Sequence, residues 1–157
     1  MRLVLPARPD HDRLLDAEYD GVLPIRATAE AQGKVGDMIG TFWAGLYVID
    51  GRFKDLLERN AITGWRLYEA VCQGLPSPAA WWVLGITGRT GRVRTGSETP
   101  LDPLGQFLDP REWDESDLFH PTNEGTTLVT RRAAQIIEEA GLRNVLLEPA
   151  GFSPTPE

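Results

Sequence analysis

Apolar and polar positions along the chain fall into two similar stretches. One is DMIGTFWAGLYVIDGRFKDLLERNAITGWRLYEA from Asp37; the other is DLFHPTNEGTTLVTRRAAQIIEEAGLRNVLLEPA from Asp117. In each, an apolar pair (Val48-Ile49; Leu128-Val129) leads into a helical stripe, and a second apolar run follows. The stripe is Phe53, Leu56 and Leu57 in the first stretch and Ala133, Ile136, Ile137 and Ala140 in the second. That spacing places them on one face of a helix of about ten residues. Asp50 and Thr130 stand just before these helices, and their side-chain oxygens can accept an orphan amide hydrogen of the first turn. Gly141 sits where a left-handed residue ends a helix, with Leu142 placed to pack back on the last turn. The predicted order in each stretch is a short strand (Leu46–Ile49; Thr126–Val129), a helix, and an extended run (Trp65–Ala70; Asn144–Leu147).

The two stretches align without a gap at a constant offset of 80 positions. Asp37 meets Asp117, Gly45 meets Gly125, Arg52 meets Arg132, Glu58 meets Glu138 and Ala70 meets Ala150. This predicts an internal pseudo-repeat over residues 37–70 and 117–150. Between the copies, the apolar run Trp81–Thr87 reads as a central strand. Gly88-Arg89-Thr90-Gly91 then reads as a turn into a polar strand, Arg92–Thr95, that pairs back with it. Gly74–Pro78 and much of Glu98–Asn123 read as loop, and Arg2–Leu5 as an edge strand ahead of a weakly patterned stretch. The expected architecture is a single domain over residues 1–157 of α+β class. A mixed or antiparallel sheet would carry two short helices, from a pseudo-duplicated strand–helix–strand unit.

Composition narrows the function. A chain of 157 residues with 41% hydrophobic and 25% charged residues suits one packed domain rather than a disordered segment. No apolar run approaches the roughly 18 residues of a membrane span, and the first residues lack a secretory apolar core. A cytoplasmic protein without membrane contact is the expectation. The single Cys72 leaves no internal disulfide and no cysteine-based zinc site. Charge is unevenly placed: between Glu98 and Glu124 lie eight acids against Arg111 alone, which accounts for the whole net charge of −7. Such a segment repels nucleic-acid phosphate and attracts a basic partner, or serves only as a solvated loop.

Candidate chemistry is sparse. His11 and His120 show no metal-ligand spacing, so no metal or cofactor is expected. Ser97 lacks a nucleophile elbow, and Cys72 reads as a small buried apolar residue. The adjacent acids Asp114, Glu115 and Asp117 could form a carboxylate pair, but acids in a hydrophilic loop are commonplace. Gly88 to Arg94 is the one basic cluster; Arg89, Arg92 and Arg94 could face a phosphate or pair in cis with the acidic segment. Trp113, ringed by Arg111, Glu112, Asp114 and Glu115, has the composition of an interface hot spot with a polar rim, or of a loop anchor.

The order Asp117-Leu118-Phe119, Gly125, Leu128-Val129-Thr130-Arg131-Arg132, Gly141-Leu142-Arg143-Asn144-Val145 and Leu147-Glu148-Pro149 resembles the carboxyl-terminal signature of bacterial immunity proteins that accompany polymorphic toxins. The similar families include the double-CXXCG-motif paralogous family of myxobacteria and relatives sharing its second half. Arg52-Phe53, Gly64-Trp65 and Gly88-Arg89-Thr90-Gly91 fit the same pattern, so the likeness covers residues 37 to 150. The paired CXXCG motifs are absent, and no metal role is carried over. The resemblance implies a non-enzymatic binder that neutralises a cognate toxin by occlusion. Asp109, Glu112, Trp113, Asp114, Glu115 and Asp117 are then the candidate contacts to a basic toxin surface. The alternative is a small ligand-binding domain or enzyme using Arg89, Arg92, Arg94 and neighbouring carboxylates.

Overall fold

The computed structural model describes residues 2–5, 8–30, 34–75, 80–92, 94–95, 106–122 and 125–150. The class is α+β, with a mixed main sheet. Its strands are β1 (Leu3–Val4), β2 (Ile25–Ala29), β3 (Met38–Gly40), β4 (Tyr47–Asp50), β5 (Trp65–Gln73) and β6 (Trp81–Ile86), in the order β1-β2-β5-β6-β4-β3. The apolar run from Trp81 is central as expected, paired antiparallel with both β4 and β5. Leu3 also bridges Thr41, and the Phe42 N–H donates to the Leu3 carbonyl at 3.1 Å. The two edges of the sheet thus meet, and it curls into a small closed barrel with no long free edge.

Strand periodicity then divides the core. Val48, Tyr68, Trp81 and Val83 point to one side with Leu3, Ile25, Ile39 and Leu46. Ile49, Leu84 and Ile86 point to the other, beneath α2 (Gly51–Arg59) and α3 (Arg131–Glu139). Leu56 and Leu57 of α2 and Ala133 and Ile137 of α3 are buried there, so both helices present their predicted stripes.

Three α-helices are described rather than two. The third, α1 (Arg8–Leu15), lies in the stretch without a clear pattern; its Leu14 is buried. It packs against β6 at Gly85, where a Cβ would stand 2.6 Å from the Leu14 carbonyl oxygen. Among the described residues no helix is long and apolar enough to cross a membrane.

Three further expectations are corrected. Gly88–Thr90 is not a turn but a strand, β7, parallel to β10 (Leu118–Pro121), which was read as loop; β10 also pairs with β11 (Leu128–Val129). The polar strand β8 (Arg94–Thr95) does not return to Trp81–Thr87 but pairs with β9 (Gln106–Phe107). The run Asn144–Leu147 joins no strand.

Contacts recur between the two aligned stretches. Met38 pairs with Ile49 and Ile39 with Val48; Leu118 pairs with Val129 and Phe119 with Leu128, each 80 positions on. Asp50 accepts from the Phe53 N–H at 3.0 Å, and Thr130 from the Ala133 N–H at 3.2 Å. The Asp50 N–H donates to the Asp37 carbonyl at 3.0 Å, and the Thr130 N–H to the Asp117 carbonyl at 2.9 Å. Left-handed backbone recurs as well: Ala61 with Gly141, and Gly64 with Asn144.

One difference between the copies has a measurable consequence. The Thr130 hydroxyl donates to Asp117 Oδ1 at 2.8 Å, whereas Asp50 sets a second carboxyl against Asp37. Burial raises the Asp50 carboxyl above its ordinary range; the Phe53 N–H opposes this, and Asp37 adds to it. Asp50→Thr should keep the cap and turn a carboxyl–carboxyl contact into a hydroxyl donor. The expected gain is about 1 kcal/mol, or a rise of about 2–4 °C in melting temperature at pH 7. A raised carboxyl pKa gives up stability as pH rises through it, so the gain should shrink in acid, where Asp50 is protonated. Thermal melts at pH 7 and pH 4 check both statements.

Candidate functional site

Two regions compete for a role: the acidic segment and the space around Arg89. Asp109 is buried, and Arg111 holds it through its backbone N–H (3.0 Å), Nε (3.0 Å) and a terminal nitrogen (2.7 Å). Asp114 accepts from the Arg89 N–H at 2.8 Å and the Ser116 N–H at 3.0 Å. Burial works against its charge, but these bonds and the nearby Arg89 hold the carboxyl below its usual range. The Trp113 indole donates to the Ser116 carbonyl at 3.1 Å, and its half-buried ring packs on Phe119 with centroids 5.6 Å apart.

Asp117 lies deeper. Its Oδ1 accepts from Thr130, and its Oδ2 accepts from the Thr63 N–H at 3.1 Å and an Arg132 terminal nitrogen at 2.6 Å. Burial disfavours the charged form, yet the Thr130 hydroxyl, the Thr63 amide and Arg132 outweigh it and keep the pKa low. The candidate contact set therefore divides. Burial removes Asp109 and Asp117 from any partner-facing surface; Asp114 is engaged by two backbone amides, and Trp113 anchors its loop. Glu112, Asp114 and Glu115 are exposed.

Asp37 repeats the arrangement of Asp117. It accepts from Arg52 at 3.1 Å and from both the backbone and the guanidinium of Arg143. Its carboxyl is likewise held low: burial opposes ionisation, and the Arg143 bonds with the charges of Arg143 and Arg52 prevail. The arginines complete a reciprocal tie. Arg52, in the first turn of α2, donates to the carbonyl of Ala140 ending α3; Arg132, in the first turn of α3, donates to the carbonyl of Asn60 ending α2, both at 2.6 Å. Each helix end thus receives a cation where unpaired carbonyls concentrate negative charge.

The basic cluster is dispersed. The Gly88 N–H donates to the Gly64 carbonyl at 3.2 Å and the Arg89 N–H to Asp114, so neither amide faces a phosphate. Arg92 is exposed, and the side chain of Arg94 lies outside the described residues. Arg89 lines a cleft of about 470 Å³ with Leu15, Asp16, Glu18, His120, Pro121, Thr122 and Gly125. Its terminal nitrogens donate to the carbonyls of Ile86 (2.6 Å), Gly88 (2.9 Å) and Asp16 (3.1 Å), and to Asp16 Oδ1 (3.0 Å).

His120, in β10, is only 3% exposed. Its Nδ1 lies 3.0 Å from the Thr126 carbonyl and must carry the hydrogen there, which leaves Nε2 as a buried lone-pair acceptor without a partner among the described residues. Burial lowers its pKa; the Thr126 carbonyl and Asp16 oppose the shift, and Arg89 reinforces it. The imidazole is therefore neutral at pH 7.

Compared with known proteins, the chain matches no family model, and no curated protein is significantly similar to it. Among the described residues no three of His, Cys, Asp and Glu converge as a metal ion would require. Cys72 lies against the barrel core, and burial pushes its thiol up to about 11, which leaves it a poor nucleophile at neutral pH. The cleft was not legible beforehand because Asp16 and Glu18 follow a helix with no strong apolar stripe. The one available signal was an uncommon residue type, histidine, opposite an arginine one strand away.

Proposed function

We propose that this protein is a binding scaffold and, in keeping with the signature it resembles, an immunity protein that occludes a cognate toxin domain. One observation carries the reading. The polar residues the two copies share, Asp37 with Arg52 and Asp117 with Arg132, are engaged in holding the two helices to each other. A signature built from scaffold ties suits a protein whose business is a rigid surface. Rigid partners lose little ordering entropy on docking, and net negative charge speeds encounter with a basic one. Glu112, Asp114 and Glu115 are the exposed members of the acidic segment that this reading places at the contact.

The direct test coexpresses the chain with the toxic domains encoded beside its gene. Restored growth and a stoichiometric copurified complex are expected for one of them; failure of both for every neighbour would end the proposal. A second reading, a small-ligand site or enzyme, is favoured by the cleft that brings Arg89 beside Asp16 and Glu18. Turnover or saturable uptake of a small molecule by the purified protein, without any protein partner, would replace the first reading.

A further inference from the structure

Among the described residues, no strand holds beside the second stretch the place that β6 holds beside the first. In the first, β4 pairs with β3 on one side and β6 on the other, and β6 pairs onward with β5. In the second, β11 pairs with β10 and ends its sheet, and the run after α3, the counterpart of β5, joins no strand. The run nevertheless leaves from a matching anchor. The Thr63 carbonyl accepts from the Leu118 N–H at 3.0 Å and the Arg143 carbonyl from the Asp37 N–H at 2.9 Å; a left-handed residue, Gly64 or Asn144, follows each. Burial records the missing neighbour. Val48 and Ile49 are fully buried beside β6, whereas Leu128 and Val129, 80 positions on, are only half-buried, and Leu146 is 79% exposed. Main-chain groups are left over as well. The Thr130 N–H donates to the Asp117 carbonyl, so by the alternation of an antiparallel ladder Leu128 is bonded to β10, while the groups of Thr127 and Val129 point away from it. The Thr87 N–H donates to the Gly64 carbonyl, so Arg66 and Tyr68 are the β5 residues bonded to β6; their counterparts are Leu146 and Glu148. Val145 to Glu148 make no backbone hydrogen bond among the described residues.

We infer that a strand of the partner protein completes this sheet, lying between β11 and the 145–148 run as β6 lies between β4 and β5. This rests on the partner-binding reading and names its mode of contact. Unpaired main-chain groups flanked by apolar side chains are a template for an added strand, whose backbone supplies affinity and whose alternate side chains supply specificity. β6 shows what the place accepts: a proline-free strand antiparallel to both neighbours, with apolar side chains at alternate positions toward the helices, as Leu84 and Ile86 are. The longest runs of this chain outside the described residues do not suit it. Residues 96–105 carry Pro100 and Pro103, residues 151–157 carry Pro154 and Pro156, and a proline brings no N–H to a ladder. The occupant is an apolar, proline-free segment of the partner.

The test has two arms. In the first, the full chain is titrated with a peptide copying Trp81–Ile86, lysines added at both ends for solubility, and its backbone amides are followed by NMR. Saturable shifts at Thr127, Val129, Leu146 and Glu148 are expected, weakened at least about tenfold when the peptide carries Val83→Pro. No shifts at these amides, or equal shifts with both peptides, would overturn the inference. So would a dimer of the free chain in light scattering that protects the same amides, because a second copy would then fill the place. In the second arm, deuterium exchange of those amides is compared between the free chain and the copurified complex. Slowing by at least about a hundredfold in the complex is expected. Leu146→Pro, which removes an N–H at an exposed position outside any strand, should weaken the complex at least about tenfold; Leu146→Ala, which keeps it, should weaken it less. Unchanged exchange, or unchanged affinity of the proline variant, would refute a partner strand here and leave the binding reading standing. Should no partner copurify, that reading fails on its own test, while the peptide titration still decides whether the place takes a strand.

Discussion

Replacing Asp37 by alanine is expected to destabilise the protein by about 2–3 kcal/mol, the cost of a stranded backbone amide and of lost charge-assisted hydrogen bonds. The carboxylate is 1% exposed and neutralises two arginines, Arg52 and Arg143, while also satisfying the Arg143 amide. Without it, the Arg143 amide loses its acceptor, and the half-exposed guanidiniums of Arg52 and Arg143 lose the charge that holds them in place. Asp117→Ala should follow the same course with a smaller loss, because Asp117 is 11% exposed and its additional partner is the neutral Thr63. Urea unfolding at pH 7 measures both, and a loss under about 1 kcal/mol in each would show the ties to be ornamental.

The same groups set the acid limit. Both carboxyls are held below their usual range, so the unfolded chain binds protons before the folded one does. Their contribution is complete above the ordinary aspartate pKa of about 3.9 and is lost as pH falls from there toward the lowered values. In Asp37→Ala this acid-side slope should flatten while the neutral-pH stability drops. An unchanged slope would mean that other groups govern acid unfolding.

Gly45→Ala should cost at least about 3 kcal/mol, from left-handed strain and a forced separation of backbone. Gly45 has φ of 79°, and a Cβ there would stand 1.9 Å from the carbonyl oxygen of its aligned counterpart, Gly125. The two stretches touch backbone to backbone at this point, and no side-chain rotation can relieve the clash. Gly141→Ala is the internal control. It too has a left-handed φ, 58°, but nothing lies within 4 Å of its added Cβ. Its loss should be about 1 kcal/mol, and the difference between the two variants isolates the steric part. Equal losses would mean that Gly45 matters for its dihedral alone.

Some of the candidate site could be read in advance and some could not. Asp117 stood out as an acid in an acidic stretch, but nothing local distinguishes an aspartate facing solvent from one facing Thr63 and Arg132. Those partners lie 54 positions before and 15 positions after it, and only the fold brings them together. Trp113 left two readings open, and the direction of its indole toward Ser116 is decided by the chain's path after the short 3₁₀ turn at Pro110–Glu112.

What the amino-acid order determined by itself is whatever depends on near neighbours. The stripes of α2 and α3 lie within three turns, their caps reach three residues ahead, and the Trp81 run is apolar enough to be central in any sheet. Such features need no knowledge of what they pack against. Strands β2, β3, β7 and β10 are three to five residues long, and each exists only because another segment completes its hydrogen bonds. Closure of the barrel at Leu3 and Thr41, the crossed arginine ties and the cleft around His120 belong to the same group. Each joins groups dozens of residues apart, and a contact of that kind leaves no period or spacing in the sequence from which to recover it.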